Sequence, residues 1–265
     1  MLIVGELINT SRKAVKEAVL ARDAAFITEL ARKQAEAGAT YLDVNCGTML
    51  KDEKDSMEWL VDVVSRAVDT PLCIDSPDPF VLDAGLALCG NGQPMINSAT
   101  LEAARYQTVV PLALKYGAKL VALCISDQGM PEHVDDRAAI ADELISRLVK
   151  DGVHIGDIYI DPLIKPISAD ITQGRDVLEA VRRIMTGNPG VHTICGLTNI
   201  SFDLPERMQV NSAFMLQAMA CGMDSYIIDI TNRKIAAAML AGSAIMGHDR
   251  FCRKYIKGYR SGIFA

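Results

Sequence analysis

The segment EAGATYLDVN, residues 36–45, carries the most informative fold signal in this chain. Its helical beginning ends on a glycine, and a short aliphatic run that finishes in polar residues follows at once. The same junction recurs as KYGAKLVALC (115–124), KDGVHIGDIYID (150–161) and ACGMDSYIID (220–229). In each copy the glycine can adopt the left-handed conformation that ends a helix without a Cβ penalty. The repetition predicts a chain of alternating helices and strands.

Eight such aliphatic runs divide the chain, and they are continuous rather than alternating, which is typical of parallel strands buried on both faces. The predicted strands are Leu2–Glu6, Tyr41–Asn45, Pro71–Asp75, Pro94–Asn97, Lys119–Ile125, Asp157–Asp161, His192–Leu197 and Ser225–Asp229. A helical period appears between them, most clearly in Met57, Leu60, Val61, Val64 and Val68.

Eight βα units within 265 residues predict an α/β fold, a single (β/α)₈ TIM barrel that forms one domain over residues 1–265. Such barrels typically take about 250 residues. An open, doubly wound sheet is the alternative arrangement of the same units.

Composition excludes several classes of protein. Half of the residues are hydrophobic and 23% are charged, which fits a globular protein with a large aliphatic core. The net charge of −6 argues against nucleic acid as a partner. Seven cysteines without a Cys-x-x-Cys pair predict reduced thiols and a cytoplasmic location, and no apolar run is long enough to predict a membrane span.

Polar residues follow every predicted strand, where a barrel carries its active site. They are Glu6, Asn9, Asp43, Asn45, Asp75, Asn97, Ser126, Asp127, Asp161, Asn199 and Asp229. At any single position, capping of the next helix is an equally good interpretation. Taken together, carboxylates and amides suit a neutral heterocycle rich in N–H donors, and no phosphate-binding glycine motif is present. Four dispersed histidines argue against a transition-metal site, so no bound metal is predicted, although metal binding by several oxygens stays conceivable.

The strand ends carry a resemblance to a known family. They read VGELIN (4–9), LDVNCG (42–47), CIDS (73–76), MINS (95–98), YIDPLI (159–164) and GLTNIS (196–201). In this order they resemble the pterin-binding methyltransferases that act on methyltetrahydrofolate and a corrinoid protein. That family is related to dihydropteroate synthase and to the folate domain of cobalamin-dependent methionine synthase.

The resemblance implies roles for individual residues. Asp75, Asn97 and Asp161 would hold the pterin ring, and Asn199 would stabilise charge at N5, the atom that carries the methyl group. Asp43 and Asn45 match the family pattern as supports or direct contacts.

The resemblance also implies the substrates and partners. Tetrahydrofolate or methyltetrahydrofolate would be the substrate, and cobalamin (a corrinoid) would arrive on a separate protein that docks over the barrel mouth. Arg207 would face the folate tail or the corrinoid side. A homodimer is implied too, with helices of the second half of the chain at the interface.

Two departures from the family pattern, Leu7 and Phe202, leave the direction of methyl transfer open. A dihydropteroate synthase is one alternative, but that enzyme uses a lysine at the end of strand seven, where this chain reads GLTNIS. A non-catalytic module that docks a pterin or a corrinoid protein is the other alternative.

Overall fold

The computed structural model describes residues 1–264, so the last residue of the predicted domain, Ala265, lies outside the described residues. The strands β1 to β8 are Leu2–Asn9, Tyr41–Asn45, Leu72–Asp75, Met95–Thr100, Lys119–Leu123, Ile158–Asp161, His192–Thr193 and Ser225–Ile228. The helices α1 to α10 are Lys13–Ala21, Ala24–Glu36, Glu53–Ala67, Pro79–Ala87, Ala103–Tyr116, Val134–Lys150, Gln173–Gly187, Arg207–Ala220, Arg233–Ile245 and Arg253–Arg260. Within residues 1–264, every helix falls short of the length and apolarity that a membrane crossing requires.

The strands form one parallel sheet in the order β7–β6–β5–β4–β3–β2–β1–β8. Strand β1 pairs with β2 on one side and with β8 on the other, through Val4 beside Tyr41 and Leu2 beside Ser225. The gap between β7 and β8 is bridged by a hydrogen bond, in which the Ile227 amide donates to the Cys195 carbonyl at 2.8 Å. The predicted barrel is therefore confirmed. A doubly wound sheet is excluded because its strand order would reverse within the sheet.

Two apolar layers support the barrel. The inner layer takes side chains from successive strands, namely Val4, Tyr41, Cys73, Met95, Val121, Tyr159 and Ile194. The outer layer lies between strands and helices, and Met57, Leu60, Val61 and Val64 of α3 are all fully buried there. Closely packed side chains thus fill the barrel interior, which leaves its carboxyl face as the place for a site.

The junction glycines have the predicted conformation, with φ of 104° at Gly38, 57° at Gly117, 103° at Gly152 and 105° at Gly222. Some strand ends differ from the prediction. Strand β7 stops at Thr193, and the chain then turns into a 3-10 helix, Leu197–Ser201. The apolar run predicted that β7 extends to Leu197. Instead the chain stops pairing with β6 after Thr193 and turns toward β8, where Gly196 forms an isolated bridge with Ile227.

Candidate active site

The carboxyl ends of the strands surround a cavity of about 410 Å³. Its polar lining includes Glu6, Asn9, Asp43, Asp75, Asn97, Asp161 and Asn199. These residues belong to different βα units, and they meet because parallel strands of a closed sheet end on one face.

Asp75 is the centre of a hydrogen-bonded group at the ends of β2, β3 and β4. Its Oδ2 accepts from the amide of Asn45 at 2.8 Å and from the amide of Asn97 at 3.3 Å. Asn45 also accepts from the Gly47 amide at 3.1 Å, which orients its side chain. Burial raises the pKa of Asp75 above its ordinary value, while the bond from Asn45 opposes the rise.

Asp43 lies deeper, with 3% of its surface exposed. Its Oδ1 has no hydrogen-bond partner among the described residues. Burial, reinforced by the nearby carboxyl of Asp75, raises the pKa of Asp43 well above its ordinary value. A protonated carboxyl can donate as well as accept a hydrogen bond, so Asp43 and Asp75 together offer the cavity a hydrogen-bond donor and acceptors.

Asp161 ends β6 on the other side of the cavity. Its Oδ1 accepts from the Leu163 amide at 2.9 Å, and the following turn places Leu163 at a φ of 62°. Burial raises the pKa of Asp161 to about 7, although the bond from Leu163 opposes the rise. An acceptor held at this edge of the cavity is available to an N–H group of a ligand.

Asn199 lies at the mouth of the cavity on the 3-10 helix that follows β7, and its side chain is exposed. Its backbone amide donates to the Gly196 carbonyl at 3.2 Å. A Cβ atom on Gly196 would lie 3.3 Å from the side-chain nitrogen of Asn199, so glycine allows this close approach. The amide of Asn199 therefore lies over the end of the barrel with its hydrogen-bonding atoms accessible.

A second cavity, of about 250 Å³, adjoins the first and shares Glu6, Arg12 and Thr198 with it. Arg12 forms an ion pair with Glu6 at 3.0 Å. Burial raises the pKa of Glu6 to about 7 despite this arginine. Arg207 lines the same cavity, and it donates to the carbonyl of Thr198 at 2.6 Å and to Ser201 Oγ at 3.1 Å. The guanidinium of Arg207 thus braces the 3-10 helix that carries Asn199.

Comparison with known proteins places the chain in a family. The sequence model described as "Pterin binding enzyme" matches residues 5–229, which is most of the chain. This chain belongs to the pterin-binding enzyme family. The membership expected from the strand-end motifs is thereby confirmed.

Two relatives within the pterin-binding family are informative. The methylcorrinoid:tetrahydrofolate methyltransferase of Eubacterium limosum is 38% identical over 267 residues, which cover 99% of this chain and 97% of that protein. The methionine synthase of Mycobacterium tuberculosis is 32% identical over 86% of this chain, which matches only 20% of the larger protein. A dihydropteroate synthase structure from Yersinia pestis superposes with a TM-score of 0.71 at 14% identity, covering 93% of this chain and 94% of that one, and it shows a shared fold.

The structure gathers most of the residues that the sequence singled out. Asp43, Asp75, Asn97, Asp161 and Asn199 line one cavity. Asn45 is absent from that lining and instead donates to Asp75, and Arg207 lines the adjoining cavity. Their roles in binding and catalysis stay predictions of the resemblance.

Sequence reasoning missed other lining residues, chiefly Ser11, Arg12 and Thr198. They lie in the segments after β1 and β7, where no local pattern marks a side chain that turns toward a cavity. Within residues 1–264, no group of three or more histidine, cysteine and acidic side chains is arranged to hold a metal ion.

Proposed function

We propose that this enzyme transfers a methyl group from the cobalt of a corrinoid, carried on a separate protein, to N5 of tetrahydrofolate. The observation that carries the proposal is similarity over nearly the whole length to a methylcorrinoid:tetrahydrofolate methyltransferase, at 38% identity. The cavity of carboxylates and amides at the barrel mouth supplies the chemistry that a pterin requires. The name of that relative also favours this direction over the reverse one.

The cavity suits the pterin ring because the ring presents N–H donors along its 2-amino and N3 edge. A carboxylate accepts two such bonds at once, and Asp75 and Asp161 line the same cavity from the ends of β3 and β6. The Asn97 amide adds a donor and an acceptor. Asn45 stabilises this arrangement through its bond to Asp75, and Asp43 places a second, deeply buried carboxyl in the same cavity.

Asn199 acts at the reacting atom. In the proposed direction the N5 lone pair forms the new bond to the methyl carbon, and the electron pair of the broken cobalt–carbon bond stays on cobalt. N5 becomes positively charged and then releases its proton. The amide oxygen of Asn199 accepts a hydrogen bond from this N5–H group. Because N5–H becomes a stronger donor as its positive charge develops, this hydrogen bond is strongest at that stage. Its exposed position at the mouth leaves room for the corrinoid protein to approach.

The partner docks over the mouth of the barrel in this proposal. Several large apolar side chains are exposed in the segments that leave the carboxyl ends of the strands, namely Leu50, Phe80, Met130, Ile171 and Phe202. Exposed apolar groups at one face are typical of a protein interaction surface. These segments lie on the face of the barrel that carries the cavity.

A homodimer is the other proposed association. A groove of about 660 Å³ between α7 and α8 is lined largely by apolar side chains, including Leu178, Val210 and Phe214. The substitution Val210→Arg should convert a dimer into a monomer in analytical ultracentrifugation. A wild-type protein that sediments as a monomer at all concentrations would contradict this association.

The function is tested by mixing the protein with methylcobalamin and tetrahydrofolate. The cobalt spectrum is followed for methyl transfer to tetrahydrofolate and for the reverse transfer to cobalt. We expect methyl transfer by the wild-type protein, and a loss of about 100-fold in rate for Asn199→Ala with little change in tetrahydrofolate affinity. Absence of transfer in both directions would overturn the proposal. An Asn199→Ala variant that binds folate and keeps full transfer would favour a scaffolding role for this residue.

A parallel assay tests the nearest rival, dihydropteroate synthase. That activity requires a basic group at the end of strand seven, where this chain has Asn199. We therefore expect no pteroate from p-aminobenzoate and a pterin pyrophosphate. Pteroate formation would refute the methyl-transfer assignment.

Docking is tested with Phe80→Asp, because Phe80 is 79% exposed in the first turn of α4, on the face of the barrel that carries the cavity. Ile245→Asp is the matched control, since Ile245 is 81% exposed at the end of α9, which lies at the opposite face of the barrel. The first change should raise the KM for the corrinoid protein and leave tetrahydrofolate affinity unchanged. Equal effects of the two changes would contradict docking over the mouth.

A further inference from the structure

Arg105 joins the two chain segments that follow the pterin-facing strands β3 and β4. It lies in the first turn of α5, and its Nε donates to the Ser98 carbonyl at 2.9 Å. Its Nη2 donates to the Ser76 carbonyl at 2.8 Å, and its Nη1 donates to the carbonyl of Pro77. A single guanidinium thus ties together the residues that come directly after Asp75 and Asn97.

The same side chain borders the candidate site. A cavity of about 300 Å³ is lined by Asp75, Asn97, Ser98 and Arg105 among others, and it shares Asp75 and Asn97 with the pterin cavity. Arg105 is half-buried there. It therefore lies next to the pair of residues proposed to bind the ring, in a cavity that Asp161 does not line.

Other contacts hold only one of the two segments. The buried hydroxyl of Ser76 donates to Glu53 Oε1 at 2.5 Å and accepts from the Asp78 amide at 3.0 Å. These bonds fix the segment after β3 against α3. The bonds of Arg105 extend this anchor across to the segment after β4, because the forked guanidinium offers donors in several directions at once.

Arg105 also acts on the charge of Asp75. Its positive charge holds the pKa of Asp75 below the level that burial would otherwise set, and the negative charge of Glu53 opposes it. The titratable and charged groups around Asp75 are Asp43 from β2, Cys46 after β2, Cys73 from β3, Glu53 from α3 and Arg105 from α5. Burial lowers the pKa of Arg105, and the negative charges of Asp75, Glu102 and Asp78 oppose this fall. Among these groups, the arginine favours the ionised form of Asp75.

We propose that Arg105 is a positioning residue for pterin recognition, which fixes the spacing of Asp75 and Asn97 by holding together the segments that follow them. The inference rests on the proposed function, since it takes the ring bound by this pair to be a pterin. It predicts that the geometric and electrostatic contributions of Arg105 can be separated by substitution.

The test measures the Kd of tetrahydrofolate by calorimetry from about pH 5 to 9, the range in which buried carboxyls titrate. Arg105→Lys keeps the charge and loses the fork, so its affinity should fall about tenfold with an unchanged pH midpoint. Arg105→Gln also loses the charge, so its affinity should fall further and its midpoint should move to higher pH. Arg66→Gln is the control, because Arg66 is exposed and pairs with Asp62 on the outer side of α3.

Arg105→Lys binding like the wild type would overturn the geometric role, and an unshifted midpoint in Arg105→Gln would overturn the electrostatic role. Methyl transfer at saturating tetrahydrofolate should keep its kcat in Arg105→Lys, because the residue does not touch the reacting atoms. Should Arg105→Gln fail to fold by circular dichroism, Arg105→Lys alone decides. A wild-type protein that does not bind tetrahydrofolate refutes the proposed function, whereas wild-type binding and transfer that both variants retain refute only this inference.

Discussion

Replacing Asp161 by asparagine should stabilise the protein above neutral pH and at the same time weaken pterin binding. Burial raises the pKa of Asp161 from its ordinary value of 3.8 to about 7. The folded protein therefore favours the protonated carboxyl, and ionising it at the cavity wall costs free energy. An asparagine side chain has nearly the same shape, keeps an oxygen for the Leu163 amide and never ionises.

The magnitude follows from the rise in pKa. A shift of this size corresponds to about 2 to 4 kcal/mol, with the lower figure allowing for water at the cavity mouth that screens the charge. A raised carboxyl pKa contributes stability at pH values below 4, and that contribution is lost progressively as pH rises to 7. The gain from Asp161→Asn should therefore be complete above pH 7 and amount to about a third of its full value at pH 5.

Thermal unfolding measured at pH 5 and at pH 8 tests this expectation. At pH 8 the variant should unfold on the order of 5 to 10 °C above the wild type. Asp69→Asn is the control, because Asp69 is an exposed carboxylate, and it should show no comparable gain. A gain that is equal at both pH values, or absent at pH 8, would refute the idea that burial of an ionised Asp161 is costly.

The same variant measures the function of the carboxylate. An ionised acceptor of two N–H bonds contributes on the order of 10- to 100-fold to affinity, so Asp161→Asn should lose about this much tetrahydrofolate binding. The wild-type affinity should decline as pH falls below about 7, and the decline should be smaller in the variant. A variant that is more stable but binds tetrahydrofolate more weakly is expected if Asp161 is retained for function and not for stability.

Three further changes test the site and its support. Asn45→Ala removes a 2.8 Å bond to Asp75 and should weaken tetrahydrofolate binding about tenfold in calorimetry, with unchanged affinity counting against its supporting role. Leu60→Ala opens a void in the fully buried layer under α3 and should lower the free energy of unfolding by about 2 to 5 kcal/mol in urea titration; a loss below about 1 kcal/mol would contradict tight packing there. Gly5→Ala would place a Cβ atom 2.5 Å from Gln34 Oε1, so it should cost about 1 to 3 kcal/mol by the same titration, and an unchanged free energy of unfolding would contradict a rigid Gln34 side chain.

The fold could be predicted from the sequence because its signals are local. A helix that ends on glycine and an aliphatic run that follows it are properties of neighbouring residues, and four such junctions among eight aliphatic runs leave few arrangements. Polar residues at strand ends were predictable for the same reason: if strands are parallel, their carboxyl ends share a face. Asp75, Asn97, Asp161 and Asn199 were found in this way, and the structure places them around one cavity.

The contribution of Asn45 required the tertiary structure. Its position at the end of β2 gave it the same expectation as Asp43, either a support or a direct contact. The register between β2 and β3 places Asn45 beside Asp75, so its amide bonds to that carboxylate and not to the cavity. Whether the Asn45 amide bonds to Asp75 or faces the cavity depends on interatomic distances, and these cannot be read from the order of residues in the sequence.

The barrel, the face that carries the site and the family of the chain follow from local sequence patterns. The hydrogen bond from the Ile227 amide to the Cys195 carbonyl, which closes the barrel, and the arginines that support the site become visible in the folded chain alone. Arg12 and Arg105 belong to helices or turns whose local sequence carries no signal of function, yet their long side chains reach Glu6 and the segment after Asp75. The physical reason is that secondary structure follows from neighbouring residues, whereas ion pairs, burial and shifted pKa values depend on which residues folding brings together.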